Sequence, residues 1–242
     1  MLDNVDPFSR ELPPYITQFP DLEQGSEAWL AARCGILTAS EMKLIMTPTG
    51  KVADNDKTRG HVWELAAQRI NQFVEPRYVG GDMIRGTEDE IYARMAYDAH
   101  VAPTQTMGFV VNRRWGFAIG YSPDWLVGDD GLGEAKSRLQ KLQLQTICEN
   151  VTPASIPSDF VLQVQTGLLV TERKWMDLCS YSNGMPMAVI RAYPDPAIHD
   201  AIIEAATAFE DKVRDKITDY HAAMASGARL IPTERRKMAE FV

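Results

Sequence analysis

The sequence predicts an α/β protein in which a mixed central β-sheet is flanked by α-helices. Three observations support this fold class. Up to His100, apolar side chains recur mainly at helical spacing, whereas residues 107–128 are rich in Val, Phe, Trp and Ile and punctuated by Gly, as strands are. Helical and strand patterns then alternate again toward the C-terminus. A length of 242 residues is compatible with one such domain.

Each predicted element has a local signal. Residues 1–20 contain four prolines and predict an extended arm. Ser26 is a good N-cap, Gly80 and Gly81 are expected to interrupt the chain, and residues 129–131 form a strong turn signal. The predicted helices cover residues 26–33, 38–46, 59–73, 86–100, 137–149, 158–171 and 196–225. The predicted strands lie within 107–128, in the segment through Glu134 and Lys136, and at 175–181 and 187–193, and a tail follows at 226–242.

Composition argues against several classes of protein. No apolar run is long enough to span a membrane, and the N-terminus lacks the basic and apolar regions of a secretory signal, so we expect a cytoplasmic protein without membrane contact. Cys34, Cys148 and Cys179 are too few and too widely spaced to predict a disulfide framework or a zinc knot. The net charge of −8 argues against coating nucleic acid through bulk positive charge. An enzyme that gathers Lys and Arg in one channel remains compatible with this charge.

The most informative segment runs from Gly120 to Lys136. Residues two apart in a strand face the same side, so Glu134 and Lys136 should project together, and pairing across the turn brings Asp124 toward Glu134. Two adjacent carboxylates favour a hard cation such as Mg²⁺, and a neighbouring lysine can orient or deprotonate water or stabilise charge on a phosphate. These parts suit phosphodiester hydrolysis. An exposed hairpin with a surface Glu–Lys pair is the alternative, although the apolar context of the strand disfavours it.

Further motifs accompany this segment in a fixed order. They are residues 24–33 (QGSEAWLAAR) with 35–40 (GILTAS), residues 85–90 (RGTEDE) with Ala93-Arg94, Ser122-Pro-Asp124 with Glu134-Ala-Lys136, and residues 162–165 (LQVQ) with Val170-Thr171. Together, over residues 24–193, they resemble the lambda-exonuclease-like (YqaJ-type) phage alkaline exonucleases of the PD-(D/E)xK nuclease superfamily. The resemblance implies a restriction-endonuclease-like core within a single nuclease domain spanning residues 1–242.

The resemblance also implies roles for five catalytic residues. Asp124 and Glu134 would ligate the metal, and Lys136 would position or activate the attacking water. Glu90 would approach the metal from its helix, directly or through water. Gln163 would help to arrange the lysine and the nucleophile.

A second group of matched residues is expected to bind the DNA end. Arg33, Ser40 and Ser122 would bind the 5′-phosphate, and Trp29 would line the DNA path or support Arg33. The alternatives are ordinary structural roles, such as an ion pair for Arg33 and a turn or helix-start hydroxyl for the two serines.

Two positions depart from the family pattern. Phe160 stands where related nucleases often carry Tyr, and Ser137 follows Lys136 in place of the Cys-Pro pair of the type member. Neither departure touches an expected metal ligand, so the expected metal site is unaffected by them.

As a function, the resemblance implies a Mg²⁺-dependent 5′-to-3′ exonuclease, with Mn²⁺ as the alternative cation. It would digest one strand of linear double-stranded DNA from 5′-phosphorylated ends and leave a 3′ single-stranded overhang for phage-type recombination by single-strand annealing. It further implies a homotrimer ring, a phage single-strand annealing protein as partner, and a phage or prophage origin in a bacterial host. An endonuclease or repair nuclease of the PD-(D/E)xK group, and a non-catalytic DNA-end binding protein on this fold, are the alternatives.

Overall fold

The computed structural model describes residues 11–47, 49–76 and 80–235, apart from the side chain of Asp82. The outer parts of the predicted N-terminal arm and C-terminal tail, residues 1–10 and 236–242, lie outside this range. Of the described helices, none combines the length and the apolar character that crossing a bilayer requires.

Eight strands form two four-stranded sheets. They are β1 (Ile16–Phe19), β2 (Leu37–Thr38), β3 (Phe109–Asn112), β4 (Ile119–Tyr121), β5 (Trp125–Val127), β6 (Gly131–Ser137), β7 (Trp175–Tyr181) and β8 (Ala188–Ala192). The first sheet has the order β1-β3-β4-β2 and the second β5-β6-β7-β8. Each contains one parallel pair, β2 with β4 and β6 with β7, among antiparallel neighbours. The predicted mixed α/β class is confirmed, with the strands divided between two sheets.

Seven α-helices surround these sheets in the described residues. They are α1 (Glu27–Arg33), α2 (Met42–Ile45), α3 (Asp56–Asn71), α4 (Gly81–His100), α5 (Gln140–Thr146), α6 (Ser158–Thr171) and α7 (Pro196–Ala225). A 3₁₀ turn at Ala39–Glu41 leads into α2, and a π-helical turn at Ile147–Val151 extends α5. The side chain of Ser26 accepts a hydrogen bond from the backbone of Trp29, so the predicted cap of α1 is present.

Two hydrophobic clusters hold the helices against the sheets. In the larger cluster α6 contacts strands of both sheets, with Val164 and Leu168 fully buried, and α7 adds Phe209. The smaller cluster packs Tyr97 of α4 against Trp125. Successive residues of a strand face opposite sides of a sheet, and the two clusters take their residues from opposite sides of the second sheet. Helices α4 and α6 therefore cover opposite faces of that sheet.

Four predictions about these elements need correction. Helix α5 begins at Gln140 instead of residue 137, because Ser137 still pairs with Tyr181 at the end of β6. Helix α4 begins at Gly81 rather than Gly86, because Gly80 is its N-cap residue instead of part of an interruption. Helix α3 begins at Asp56 instead of residue 59, because the Asn55 side chain accepts hydrogen bonds from the first turn. Within the predicted arm, Ile16–Phe19 pairs with β3.

Candidate active site

All nine residues that the sequence predicts for the site line one open pocket of about 570 Å³. The pocket lies between α1, the first half of α4, the β5–β6 hairpin and α6. Its walls include Trp29, Arg33, Ser40, Glu90, Ser122, Asp124, Glu134, Lys136 and Gln163. The structure therefore brings together residues that are separated by up to 134 positions in the sequence (29 to 163).

The hairpin fixes the first carboxylate next to the second. Trp125 on β5 pairs with Gly133 on β6. Asp124 is the residue just before Trp125, and Glu134 is the residue just after Gly133, so this pairing brings the two carboxylates close together. The Asp124 Oδ2 atom accepts a hydrogen bond of 2.6 Å from the backbone N–H of Ala135. Gly133 is required here, because an added Cβ would lie 1.8 Å from Nε1 of Trp125. The predicted approach of Asp124 to the Glu134 strand is thus present.

Glu134 is buried and accepts hydrogen bonds from three side chains. Its Oε1 atom accepts from Lys136 Nζ and from Gln163 Nε2, each at 2.6 Å, and its Oε2 atom accepts from the Tyr121 hydroxyl at 2.6 Å. These donors come from β6, α6 and β4, so three elements determine the orientation of one carboxylate. A surface Glu–Lys pair on an exposed hairpin is incompatible with this burial, since only 2% of Glu134 is accessible.

The electrostatics of the pocket are dominated by crowded carboxylates. Burial, followed by the charges of Glu134 and Glu90, raises the pKa of Asp124 well above its usual range. Burial and the charge of Glu134 likewise raise the pKa of Glu90. For Lys136 burial is the largest influence and opposes ionisation, but the summed charges of Glu134, Asp124 and Glu90 raise its pKa. Lys136 is therefore an ammonium group at neutral pH.

These donors suit a hard divalent cation, since they are oxygen atoms and carry excess negative charge. Among the residues that the structure describes, no three His, Cys, Asp or Glu side chains are already gathered as a ligand cluster. Asp124, immediately before β5, and Glu134, on the adjacent β6, nevertheless border the same pocket as Glu90. A bound cation would offset the neighbouring negative charges that help to raise the pKa of Asp124.

The other end of the pocket is a cationic and hydroxyl-lined cluster around Arg33. The Arg33 guanidinium lies 4.1 Å above the Trp29 ring and donates to Ser122 Oγ at 3.2 Å and Thr38 Oγ1 at 3.3 Å. Trp29 Nε1 also donates to Ser122 Oγ, at 3.0 Å. Ser40 joins through a 3.4 Å contact between its Oγ and Thr38 Oγ1. Trp29 thus contacts Arg33 directly, as one of its two expected roles requires.

Four further residues that line this pocket, Tyr121, Thr38, Arg85 and Ser137, were given no site role by the sequence reasoning. Tyr121 holds Glu134, and Thr38 holds Arg33. Arg85 Nε donates to Ser137 Oγ at 3.2 Å, and that hydroxyl donates to Asp89 on α4. A buried tyrosine hydroxyl needs a partner, so the position of Tyr121 just before Ser122 was an available signal.

Comparisons with known proteins agree with this geometry. The YqaJ-like viral recombinase domain family matches residues 28–174. The alkaline exonuclease LHK-Exo from Laribacter hongkongensis has 28% sequence identity and a TM-score of 0.72, over 84% of this chain and 100% of that chain. Its complex with dAMP gives 29% identity and a TM-score of 0.71, over 83% and 98%.

A more distant similarity concerns the fold alone. A phage related exonuclease from Haemophilus somnus 129PT has 12% identity and a TM-score of 0.57, over 76% of this chain and 96% of that chain. Among curated protein sequences, none matches the chain. The family match covers more than half of the sequence, so the chain belongs to the YqaJ-like viral recombinase domain family and is a deoxyribonuclease of the lambda-exonuclease-like type.

Proposed function

We propose that this nuclease is a Mg²⁺-dependent 5′-to-3′ exonuclease that digests one strand of linear double-stranded DNA from 5′-phosphorylated ends. The observation that carries the proposal is the union, in one pocket, of a carboxylate–lysine centre and the Arg33 cluster. A terminal phosphate held at one end would place the neighbouring phosphodiester at the other. Digestion in this direction leaves a 3′ single-stranded overhang.

At the carboxylate end, Asp124 and Glu134 would hold the cation, with Glu90 contributing directly or through water. When bound, a divalent cation polarises the phosphoryl oxygen and lowers the pKa of water. Lys136, already charged, would orient the attacking water and stabilise negative charge on the phosphate. Gln163 shares the Oε1 atom of Glu134 with Lys136, so it would keep that carboxylate from rotating.

At the other end, Arg33, Ser122 and Ser40 would bind the 5′-phosphate. Guanidinium and hydroxyl groups are suitable donors to phosphate oxygens, and charge-assisted bonds of this kind are strong. Stacking on Trp29 restricts the guanidinium, which lowers the entropic cost of binding. LHK-Exo has been crystallised with dAMP, and this supports release of mononucleotides by the present chain.

The remaining parts of the proposal concern assembly and context. A homotrimer ring would let a protein with a net charge of −8 remain on DNA by enclosing it. We further propose that residues 1–242 act as one nuclease domain in the cytoplasm of a bacterial host, as a phage or prophage protein. The overhang would be the substrate of a single-strand annealing protein in homologous recombination.

The test is digestion of linear duplex DNA bearing a 5′-phosphate or a 5′-hydroxyl, in Mg²⁺, in Mn²⁺ and in EDTA, beside a covalently closed circle. We expect cation-dependent loss of the 5′-phosphorylated strand and an intact circle. Arg33→Ala should reduce the preference for the 5′-phosphate by about 10- to 100-fold, as loss of a charge-assisted hydrogen bond of about 1.5–3 kcal/mol predicts.

Arg59→Ala is the matched control, because Arg59 is exposed and pairs with Asp54 and Asp56 away from the pocket. It should keep the full preference. Cutting of the circle would replace the proposal with an endonuclease, and binding without cutting of any substrate would replace it with a DNA-end binding protein.

A further inference from the structure

A row of alternating side chains on β6 continues past the catalytic lysine. Glu134, Lys136 and Arg138 are each two residues apart, so they project toward the face that α6 covers. Arg138 lies just after β6, and its backbone N–H donates to the carbonyl of Tyr181 at 2.7 Å, which keeps the chain in register with the end of β7. The row therefore runs from the carboxylate centre to a second cation.

Phe160, at the start of α6, connects the two cations. The centre of its ring lies 5.6 Å from Lys136 Nζ and 5.0 Å from Arg138 Cζ. Both separations are within the range of a cation–π interaction. Gln163, which holds Glu134, lies one helical turn further along α6. The same helix thus restrains the carboxylate, the lysine and the arginine.

The charge of Arg138 is not balanced within the described part of the chain. None of the carboxylates that the structure describes, a set that excludes Asp82, lies within 4.0 Å of it, and its buried Nε atom has no described hydrogen-bond acceptor. Arg69, which is also partly buried, is paired with Glu210. A buried guanidinium nitrogen without an acceptor is costly, so the site favours an anion.

We propose that Arg138 binds a phosphate of the DNA strand adjacent to the phosphate being cleaved, and that Phe160 is the platform that holds Arg138 and Lys136 side by side. Residues two apart in a strand are separated by about 6.6–6.8 Å, which is similar to the separation of neighbouring phosphates along one strand. This inference rests on the proposed exonuclease function. It adds to that function a phosphate subsite beyond the catalytic centre.

A purely structural role for Arg138 makes a different prediction. If the arginine only packs on Phe160, its long apolar stem is what counts, and Arg138→Met should preserve most of that packing. If the guanidinium binds a phosphate, Arg138→Met should lose one counterion-releasing contact. The salt dependence of DNA binding separates these two cases, because packing does not depend on the ionic strength.

The experiment measures binding of 5′-phosphorylated duplex DNA in EDTA over a series of salt concentrations. For Arg138→Met we expect the slope of log K against log salt to be shallower by about 0.7–0.9, the amount per phosphate contact. Arg138→Lys should keep the wild-type slope. Arg214→Met, which removes an exposed arginine paired with Asp211 on α7, should also keep it.

A second arm locates the contact. Methylphosphonate substitutions replace the charged phosphates near the 5′ end with neutral groups, one at a time. The affinity difference between wild type and Arg138→Met should disappear on one of these substrates and persist on the others. Unfolding curves verify that each variant is folded, and Arg138→Gln, which also removes the charge, replaces Arg138→Met in the test if that variant is not folded.

The outcomes are distinguishable. An unchanged slope for Arg138→Met, together with a difference that persists on every methylphosphonate substrate, would overturn the subsite and leave the exonuclease proposal intact. Failure of the wild-type protein to digest 5′-phosphorylated linear DNA in Mg²⁺ would overturn both.

Discussion

Two buried carboxylates lie on neighbouring strands of the second sheet but face opposite sides of it. Asp177 on β7 pairs in register with Gly133 on β6, so the side chain of the next β6 residue, Glu134, points to the other face. Both are almost inaccessible, at 1% and 2%. Arg191 binds Asp177 with two hydrogen bonds of 2.8 Å, and Tyr97 donates a third of 2.6 Å. The negative charge of Asp177 is therefore balanced by the positive charge of Arg191.

Around Glu134 the charges do not balance in this way. Lys136 is the cation that donates to Glu134, yet Asp124 and Glu90 add two further carboxylates, and each has a raised pKa. Three carboxylates against one ammonium group is a poor arrangement for stability and a good one for attracting a cation. The charge of Asp177 is thus balanced on one face of this sheet, whereas on the face of the proposed nuclease centre the negative charges are in excess.

The largest expected effect is on nuclease turnover, and it comes from removing the charge of Asp124, beside Glu134. Asp124→Asn should reduce nuclease turnover by roughly 10³-fold or more, because it removes a proposed metal ligand. Its stability without metal should be equal to or higher than that of wild type, because a repelling buried charge is gone. Single-turnover digestion and urea unfolding in EDTA measure the two quantities. Turnover near the wild-type rate would refute the assignment of Asp124.

The same variant tests the electrostatic explanation through pH. Because the pKa of Asp124 is raised in the folded state, the folded protein holds a proton that the unfolded chain releases. The metal-free wild type should therefore lose stability relative to Asp124→Asn as pH rises from the ordinary pKa of aspartate to the raised one. Above that window, Mg²⁺ should restore stability to the wild type alone. Parallel pH curves for the two proteins would contradict this account.

Much of the fold could be predicted because its signals are local. The bounds of α6, α7 and β7 agree with the prediction, and at the start of α7 the Asp195 side chain accepts hydrogen bonds from the first turn. Helical spacing alone does not say which side of a helix is buried. On α4 the spaced apolar residues Ile91 and Met95 are 59% and 61% accessible, because Ala93 and Tyr97 face the sheet instead.

The residues of the site also separate into those that local patterns predict and those that only the packing of distant elements brings together. Asp124, Glu134 and Lys136 follow from one hairpin, whose turn and alternation are readable from the sequence. The contact of Tyr121 with Glu134 joins β4 of the first sheet to β6 of the second. It depends on how two sheets pack around α6, and no local pattern encodes that distance. Periodicity and turn signals therefore predict the hairpin residues better than the residues that hold them in place.

Substitution of Asp177, whose charge is balanced by Arg191, should change the stability of the protein instead of its activity. Asp177→Asn leaves Arg191 without a counter-charge and should lower the free energy of unfolding by about 3 kcal/mol, at the low end for a broken buried pair because Arg191 is 42% exposed. Turnover per folded molecule should stay within about twofold of wild type, since Asp177 faces away from the pocket. Urea unfolding and digestion at a temperature where the variant is folded measure both. Loss of turnover in a fully folded variant would remove the distinction between the two faces.

The smallest expected effect compares two tyrosines that each donate a 2.6 Å hydrogen bond to one of these carboxylates. Tyr121→Phe keeps the ring but releases Oε2 of Glu134 from its donor, so the carboxylate could rotate away from the proposed cation. We expect a loss of about 10- to 100-fold in metal affinity or activity, visible as a higher Mg²⁺ concentration for the half-maximal rate. Tyr97→Phe removes the equivalent bond to Asp177 and should lower stability while leaving the Mg²⁺ requirement unchanged. Equal Mg²⁺ curves for the two variants would mean that Tyr121, like Tyr97, serves only the fold.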